Sequence, residues 1–492
     1  MGYSDLGCFG GEMKTPNLDR LAENGMRFTQ FYNAARCCPT RASLLTGLYP
    51  HQAGMGGMVS ENDLGTPGAY QGYLNKQSVT IAEVLKKGGY YTAASGKWHV
   101  GEVKPHWPTN RGFDNYYGLI SGAANYFDIR KGKRTGIVRH FAKDSTEYLP
   151  PKKGFYLTDA ITENAVSFLD KANDKKAPFF LYLAYTAPHW PLHALQEDID
   201  KYKGKFIEGW DDLREKRLIR MRQMGLINAN LESSNRDAQV QEWNSLTQQE
   251  KIDMDLLMAI YAAQIDRMDQ GIGKVINKLE KNGNLENTLI LFLSDNGGSH
   301  EGGAMGGDFW GNFKDGLARP GSGDSYHSYG RSWANLSNTP FRMFKSWIHE
   351  GGISTPLIAH WPKGIKGKGV ITNQPGHIID LMVTCTDVAD VEYPSIYKGL
   401  DIIPTSGKSI VPIFQGKNRA EHEFIFWEHM GNRGVRMGDW KLVSKDNGTW
   451  ELYNLRKDRT ELYNVFNDKD KITKKMLIAY EEWSMKNDVN EN

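Results

Sequence analysis

The chain is poor in cysteine: four among 492 residues, Cys8, Cys37, Cys38 and Cys385. So few thiols do not make a disulfide framework, and no pairing among them can be asserted from spacing. A dominant sign of charge is also lacking. With 60 Lys and Arg against 58 Asp and Glu the net charge is +2, which argues against a nucleic-acid or polybasic membrane role. No apolar run approaches the roughly 20 residues of a membrane-spanning helix, and no internal repeat or low-complexity tract stands out. What remains is a chain long enough to bury one large core and a smaller one. Its aromatic content is 11%, with 13 Trp and 23 Tyr. Flat rings suit carbohydrate clefts, although most rings serve core and interfaces.

The chemistry centres on Cys37-Cys38-Pro39-Thr40-Arg41-Ala42-Ser43-Leu44-Leu45-Thr46-Gly47. Pro39 restricts the residue before it to extended backbone, and the apolar run 42–45, stopped by Gly47, predicts a short buried helix. A cysteine then sits where strand gives way to helix. Free N–H groups and the dipole at such a start favour an anion, and Arg41 adds a charge suited to bidentate contact with an oxyanion. Phosphate and sulfate esters are the natural ligands. The spacing argues against the cysteine phosphatases, which place Arg further along: here Arg41 follows Cys37 by four positions and Cys38 by three. Taken alone, the stretch could equally be a buried Cys pair beside a helix.

Other stretches place polar groups at strand ends. Thr80-Ile81-Ala82-Glu83 reads as a capping box opening a helix to Lys87, followed by a strand over 90–94 that delivers Gly96-Lys97-Trp98-His99-Val100-Gly101. Lys97 and His99 could contact one anion, the first as a point charge and the second as a proton carrier. A helix over 158–171 precedes the apolar run 178–185, a strand covered on both faces, which ends in Pro188-His189-Trp190-Pro191-Leu192-His193. A strand over 288–293 ends in Asp295-Asn296-Gly297-Gly298, hard oxygen donors suited to Ca²⁺ or Mg²⁺ but also a plausible plain turn.

Together these motifs resemble the formylglycine-dependent sulfatases of the alkaline-phosphatase superfamily, arylsulfatase type. The pattern Cys-x-Pro-x-Arg with Leu-Thr-Gly, Gly-Lys-Trp-His-x-Gly, Pro-His-x-Pro and Asp-Asn-Gly-Gly occurs in that family's order, as do Gly2-Tyr3-Ser4-Asp5 leading to Thr15-Pro16-Asn17-Leu18-Asp19, and Lys345 before Glu350-Gly351-Gly352. The resemblance implies that Cys37 is oxidised to a formylglycine by a formylglycine-generating or anaerobic sulfatase-maturating enzyme. It further implies that Arg41, Lys97, His99, His189 and Lys345 are catalytic, and that Asp295 and Asn296 ligate Ca²⁺ or Mg²⁺. His193, His300, His429 and Arg433 are candidate substrate contacts. In the family an Asp-Asp pair precedes the Gly-Tyr turn, and Met1 here occupies the position just after that pair. Two oxygen ligands are too few for Ca²⁺, so the chain as written is expected to hold metal weakly. An exported location is expected by resemblance, although residues 1–7 contain no signal peptide.

The expected fold is α/β: a large mixed, mainly parallel sheet sandwiched by helices over 1–415, with a small C-terminal antiparallel four-stranded sheet plus helix over 416–492. Strands are expected at 424–428, 434–443, 450–454 and 461–465, and a closing helix at 470–486. Thr15 and Pro16 open a helix stopped near Gly25. Residues 198–253 read as a charged, solvated helical excursion, and 255–281 as a core helix. The Gly-rich segment 301–338, with Phe309, Trp310, Phe313, Tyr326, Tyr329 and Trp333, is expected to face substrate. The expected activity is hydrolysis of a sulfate monoester, aryl or sulfated glycan, with no nucleic-acid or membrane partner. The alternatives are a phosphodiester or phosphonate monoester hydrolase of the same superfamily, or an inactive relative short of two metal ligands.

Overall fold

The computed structural model describes residues 1–59, 68–131, 139–308 and 319–489. Local signals set most elements. Thr80 and Glu83 cap each other, with Glu83 N–H donating to Thr80 Oγ1 at 3.1 Å and Thr80 N–H to Glu83 Oε2 at 2.9 Å, and the helix Ile81–Lys87 follows. The helix Pro16–Glu23 starts after Thr15, whose hydroxyl is spent on Gly7 N–H and Asp19 instead of on a cap. Gly25 lies just beyond this helix, where an added Cβ would meet the Ala359 carbonyl oxygen at 2.2 Å. Only glycine permits that approach.

The α/β architecture is as expected, built on more than one sheet. In the five-stranded sheet the order is Thr146–Glu147, Phe141–Lys143, Asn115–Leu119, Tyr91–Gly96, Phe179–Ala184, the last three parallel. A second sheet orders Val370–Thr372, Met26–Phe28, Leu357–His360, Ile290–Leu293, with Leu357–His360 antiparallel to both neighbours. The expected single sheet is therefore divided: Phe179–Ala184 and Ile290–Leu293 are both edge strands, and no ladder joins them among the described residues. The halves are held by side chains. Ala165 and Leu169 of helix Leu157–Asp174, with Val275 and Leu279 of helix Gln248–Lys281, pack on Phe179, Leu181, Leu183 and Ile290 from one face. Helices Cys37–Thr46, Ile81–Lys87 and Asp380–Ala389 cover the other.

Three strands running into one region carry the candidate chemistry. Tyr91–Gly96 delivers Lys97 and His99, Phe179–Ala184 leads to His189, and Ile290–Leu293 leads to Asp295 and Asn296.

Residues 198–253 differ from their expected solvated character. Arg217, on helix Gly209–Gln223, is fully buried and pairs with Asp5 at 3.0 Å and Glu12 at 2.7 Å, while Trp210 and Trp243 pack edge to face at 4.7 Å. Net polarity hid an inward face whose charges are paired with the N-terminal turn. The loop segment is corrected similarly. Tyr326 and Tyr329 are buried, Tyr329 stacking on Tyr261 at 4.3 Å, and Trp333 lies on helix Gly330–Ser337 beside Trp210. These rings are core. Phe309, Trp310 and Phe313 lie outside the described residues.

The C-terminal sheet is an antiparallel meander of Ile425–His429, Asn432–Met437, Trp440–Ser444 and Trp450–Asn454, covered by helix Asp470–Lys486. The stretch expected as one strand over 434–443 is two, turning tightly at Gly438 (φ 54°). Residues 461–465 form no strand, because Glu461 turns inward to a buried ion cluster. Lys441 Nζ lies 3.0 Å from Glu350 and 2.7 Å from Glu461, Arg459 also reaches Glu350 at 3.3 Å, and all four groups are buried. This cluster ties the small sheet to the main body. Lys441→Ala strands the buried Glu461 carboxylate and leaves Glu350 to Arg459 alone, so unfolding free energy is expected to fall by about 3–5 kcal/mol in a urea titration. A loss under about 1 kcal/mol would show that the cluster rearranges at little cost.

Candidate active site

Cys37 begins helix Cys37–Thr46, which ends at Gly47 in the left-handed region (φ 71°), Gly47 N–H donating to Ser43 O at 2.9 Å. No side chain caps the first turn, leaving its N–H groups and dipole available to an anion. Cys37 and Cys38 are 3% and 0% exposed. The hydrogen bond from Cys38 holds the Cys37 thiol well below its ordinary range, and Lys97 and His99 act in the same direction against burial. Position 37 therefore lies in a field that favours negative charge.

Around it the structure gathers Arg41, Lys97, His99, His189, Lys345 and Asp295. Arg41 donates to Asp295 Oδ2 through Nη2 at 2.9 Å and Nε at 3.2 Å, to Lys97 O at 2.8 Å, and to Tyr182 OH at 3.1 Å. It is thus fully committed to holding the carboxylate and the Lys97 loop. Burial lowers the Lys97 pKa, an effect opposed by the Cys37 sulfur. His99 has φ 59°, and its ring nitrogens lie 3.3 and 3.4 Å from Cys38 Sγ. Burial, then Lys97, pushes it down to about 4, so it is a neutral base near pH 7. His189 Nδ1–H donates to Trp190 O at 2.6 Å, and Nε2 lies 3.4 Å from Lys345 Nζ. Burial and the Lys345 and Lys97 charges push His189 down to about 3. The proton a general acid needs must therefore come with a bound anion, which screens those cations.

Asp295 is half-buried, and its desolvation raises its pKa, yet Arg41 and Lys97 more than offset this and keep it ionised. Asn296 Oδ1 is buried with no partner while its amide donates to Gly297 O at 2.9 Å. An orphaned carbonyl oxygen beside a carboxylate fits a hard divalent cation in donor type, and supplies one corner of a site that for Ca²⁺ takes six to eight oxygens.

The candidate substrate contacts separate. His429 is buried with Nε2 unpartnered and lies near Arg36 and Cys37, whose charges act on it; His300 packs on Trp347 at 4.4 Å, its Nδ1 unpartnered, in the field of Glu301, Arg331 and Lys345. Both flank the site. His193 does not open onto it: Tyr126 N–H donates to Nδ1 at 3.2 Å and Nε2–H to Ser325 O, so no ring nitrogen is left for a ligand. Arg433 sits over the Trp450 ring at 4.8 Å and bonds Ser444 and Gly448, on the small sheet.

Two charged residues escaped sequence reasoning. Glu301 accepts from Lys345 at 3.0 Å and from Ser299 and Trp190, and lies 3.7 Å from Arg36. Its carboxyl is held far below the usual range, Lys345 and His189 overcoming burial. Arg36 donates to Ser346 at 2.9 Å. Arg36 directly precedes the cysteine motif, a signal that was available; Glu301 had none beyond its place after the Asp-Asn turn.

Five histidines, the buried His99, His193 and His429 at about 4, the buried His377 at about 3 and the half-buried His189 at about 3, have folded-state pKa values below the unfolded value near 6.5. The unfolded chain then binds more protons below pH 6.5, so stability falls as pH falls, by about 1.4 kcal/mol per histidine per unit. The melting temperature is expected to drop steeply between pH 6.5 and 5; a flat profile would contradict the neutral, buried assignment.

Residues 1–391 match the Sulfatase family, and residues 341–485 match N-sulphoglucosamine sulphohydrolase, C-terminal. An uncharacterized sulfatase of Schizosaccharomyces pombe is 36% identical over 90% of this chain and 83% of its own length. An arylsulfatase of Klebsiella aerogenes is 34% identical over 85% of this chain and 91% of its own. The crystal structure of Ps i-CgsB in complex with k-i-k-neocarrahexaose is 28% identical, covers 100% of this chain and 91% of that chain, and superposes with a TM-score of 0.72. The site is that of a sulfuric ester hydrolase. The chain belongs to the sulfatase family of the alkaline-phosphatase superfamily, whose members are generally formylglycine- and metal-dependent.

Proposed function

We propose that this sulfatase hydrolyses a sulfate monoester on a glycan, using a formylglycine made from Cys37 by a maturation enzyme, with Asp295 and Asn296 among the ligands of Ca²⁺ or Mg²⁺. The observation that carries this is the placement of Cys37 at an uncapped helix start, in a field of Lys97 and Arg41, with Asp295 close by and the unpartnered amide oxygen of Asn296 next to it in the chain. The glycan assignment leans on a structural neighbour solved with an oligosaccharide.

Once formed, the hydrated aldehyde supplies a nucleophile with a second hydroxyl for release, and the cation supplies charge neutralisation. The chain's own residues do the rest. Lys97 and Lys345 bind the sulfuryl oxygens as preorganised cations, with little reorganisation because both are buried. Glu301 holds the Lys345 ammonium in place. Arg41 fixes the Asp295 carboxylate and the Lys97 backbone. His189 Nε2 carries a proton to the leaving oxygen once the anion has raised its pKa, and neutral His99 takes a proton at a ring nitrogen facing position 37.

Comparing 4-nitrophenyl sulfate with a 4-nitrophenyl phosphodiester on one preparation tests the reading. Hydrolysis of the sulfate with a higher kcat/KM is expected; a preference for the phosphodiester would overturn it in favour of the superfamily alternative.

A further inference from the structure

The proposed mechanism leaves one buried nucleophilic group unused. Cys38 is 0% exposed, is in no disulfide, and has no part in the transfer of a sulfuryl group. Its neighbours are metal-ligand types. Cys38 Sγ lies 3.3 Å from His99 Nε2 and 3.4 Å from Nδ1, and Cys37 hydrogen-bonds to both Cys38 and His99. The two sulfurs and a ring nitrogen all lie within 4.8 Å of one another, and among the described residues no other three His, Cys, Asp or Glu side chains are so disposed.

This triangle has the size of one face of a tetrahedral site. Metal bonds of about 2.3 Å to sulfur and about 2.0 Å to nitrogen place zinc ligands roughly 3.5–3.8 Å apart. A modest turn of the His99 ring would bring one nitrogen lone pair onto the ion. Donor chemistry then selects the metal. Two thiolates and an imidazole suit Zn²⁺ and disfavour Ca²⁺ and Mg²⁺, whereas the oxygen atoms of Asp295 and Asn296 have the opposite preference. On binding, the protons of both thiols pass to solvent. Zn²⁺ with two thiolates and a neutral imidazole carries no net charge, so Lys97, which bears on both cysteines, opposes it little. Cys37 keeps 3% exposure and Cys38 none, so the ion enters from the Cys37 side, and the fourth position is left to water.

We propose that the unconverted chain, with Cys37 still a thiol, binds one Zn²⁺ through Cys37 Sγ, Cys38 Sγ and a ring nitrogen of His99, and that the bound ion withholds the Cys37 thiolate from electrophiles. The site belongs to the thiol form and does not depend on the reaction the mature chain catalyses. Conversion of Cys37 to an aldehyde would remove one ligand and abolish it; this consequence alone rests on the formylglycine reading.

The test uses the full chain expressed without a maturation enzyme and kept reduced, titrated with Zn²⁺ alone against a chromogenic chelator. One equivalent is expected to bind with a Kd below about 1 μM, to survive a large excess of Ca²⁺, and to slow alkylation of Cys37 by iodoacetamide, read by peptide mass spectrometry. Co²⁺ in place of Zn²⁺ is expected to give thiolate charge-transfer absorption. Loss of even an outer-sphere partner costs metal sites about 10–100-fold, so Cys38→Ala and Cys37→Ser, each of which removes a ligand, should weaken binding by at least about 100-fold. Their melting temperatures, measured without metal, show that they fold; if Cys38→Ala does not, Cys37→Ser alone decides. No binding at equimolar Zn²⁺, displacement by Ca²⁺, or undiminished affinity in the folded variants would overturn the proposal. None of these readouts is sulfate hydrolysis, so failure here leaves the sulfatase reading to its own assay.

Discussion

Cys37→Ser is expected to lose steady turnover of 4-nitrophenyl sulfate by about 10³-fold or more and to accumulate as a sulfated protein. The helix start and Lys97, Lys345 and Arg41 are untouched by the substitution, so the anion still binds and serine Oγ can still accept a sulfuryl group. A serine ester, however, offers no second hydroxyl on the same carbon, so release depends on slow hydrolysis by water. Intact-mass measurement after a single addition of substrate, alongside a steady-state assay, distinguishes trapping from simple loss of binding. Sustained turnover by the serine variant would contradict a formylglycine at this position.

His189→Ala is expected to separate substrates by their leaving groups. The imidazole Nε2 is 3.4 Å from Lys345 Nζ, and in the proposed mechanism it protonates the departing oxygen. For a sugar or alkyl sulfate, whose alkoxide is a poor leaving group, kcat should fall by about 10²–10⁴-fold. For 4-nitrophenyl sulfate, whose phenolate leaves without a proton, the loss should be small. Equal losses on both substrates would assign His189 to binding alone. The wild type adds a second check. Burial and two lysines depress His189 to about 3, so inorganic sulfate should bind with uptake of a proton, and its inhibition should weaken as pH rises.

The parts of the site that were legible in the sequence share one physical origin. Lys97, His99, His189, Asp295 and Asn296 all follow apolar strands of an α/β fold, whose carboxyl ends converge in space, and each lies in a short contiguous motif. Capping chemistry at Thr80 and the closing helix Asp470–Lys486 were readable for a similar reason, since their determinants lie within a few residues. What escaped depends on contacts between distant segments. Glu301 matters because Lys345 lies 3.0 Å away. Arg217 is buried only because Asp5 and Glu12 are there to pair it. His193 reads like His189 in sequence, but two backbone groups, Tyr126 N–H and Ser325 O, consume its ring nitrogens. Glu461 sits in an apparent strand and instead completes an ion cluster with Lys441. The division of the main sheet also left no local trace, because Phe179–Ala184 and Ile290–Leu293 have the apolar composition of central strands.

The most direct test of the sulfatase reading joins conversion to rate. The chain is expressed with graded amounts of a formylglycine-generating enzyme, and the fraction of Cys37 carried as aldehyde is measured by peptide mass spectrometry. Hydrolysis of 4-nitrophenyl sulfate is then assayed on the same samples with Ca²⁺ present. The account expects a rate proportional to the converted fraction and near zero without conversion. Hydrolysis that persists undiminished in fully unconverted protein would contradict it.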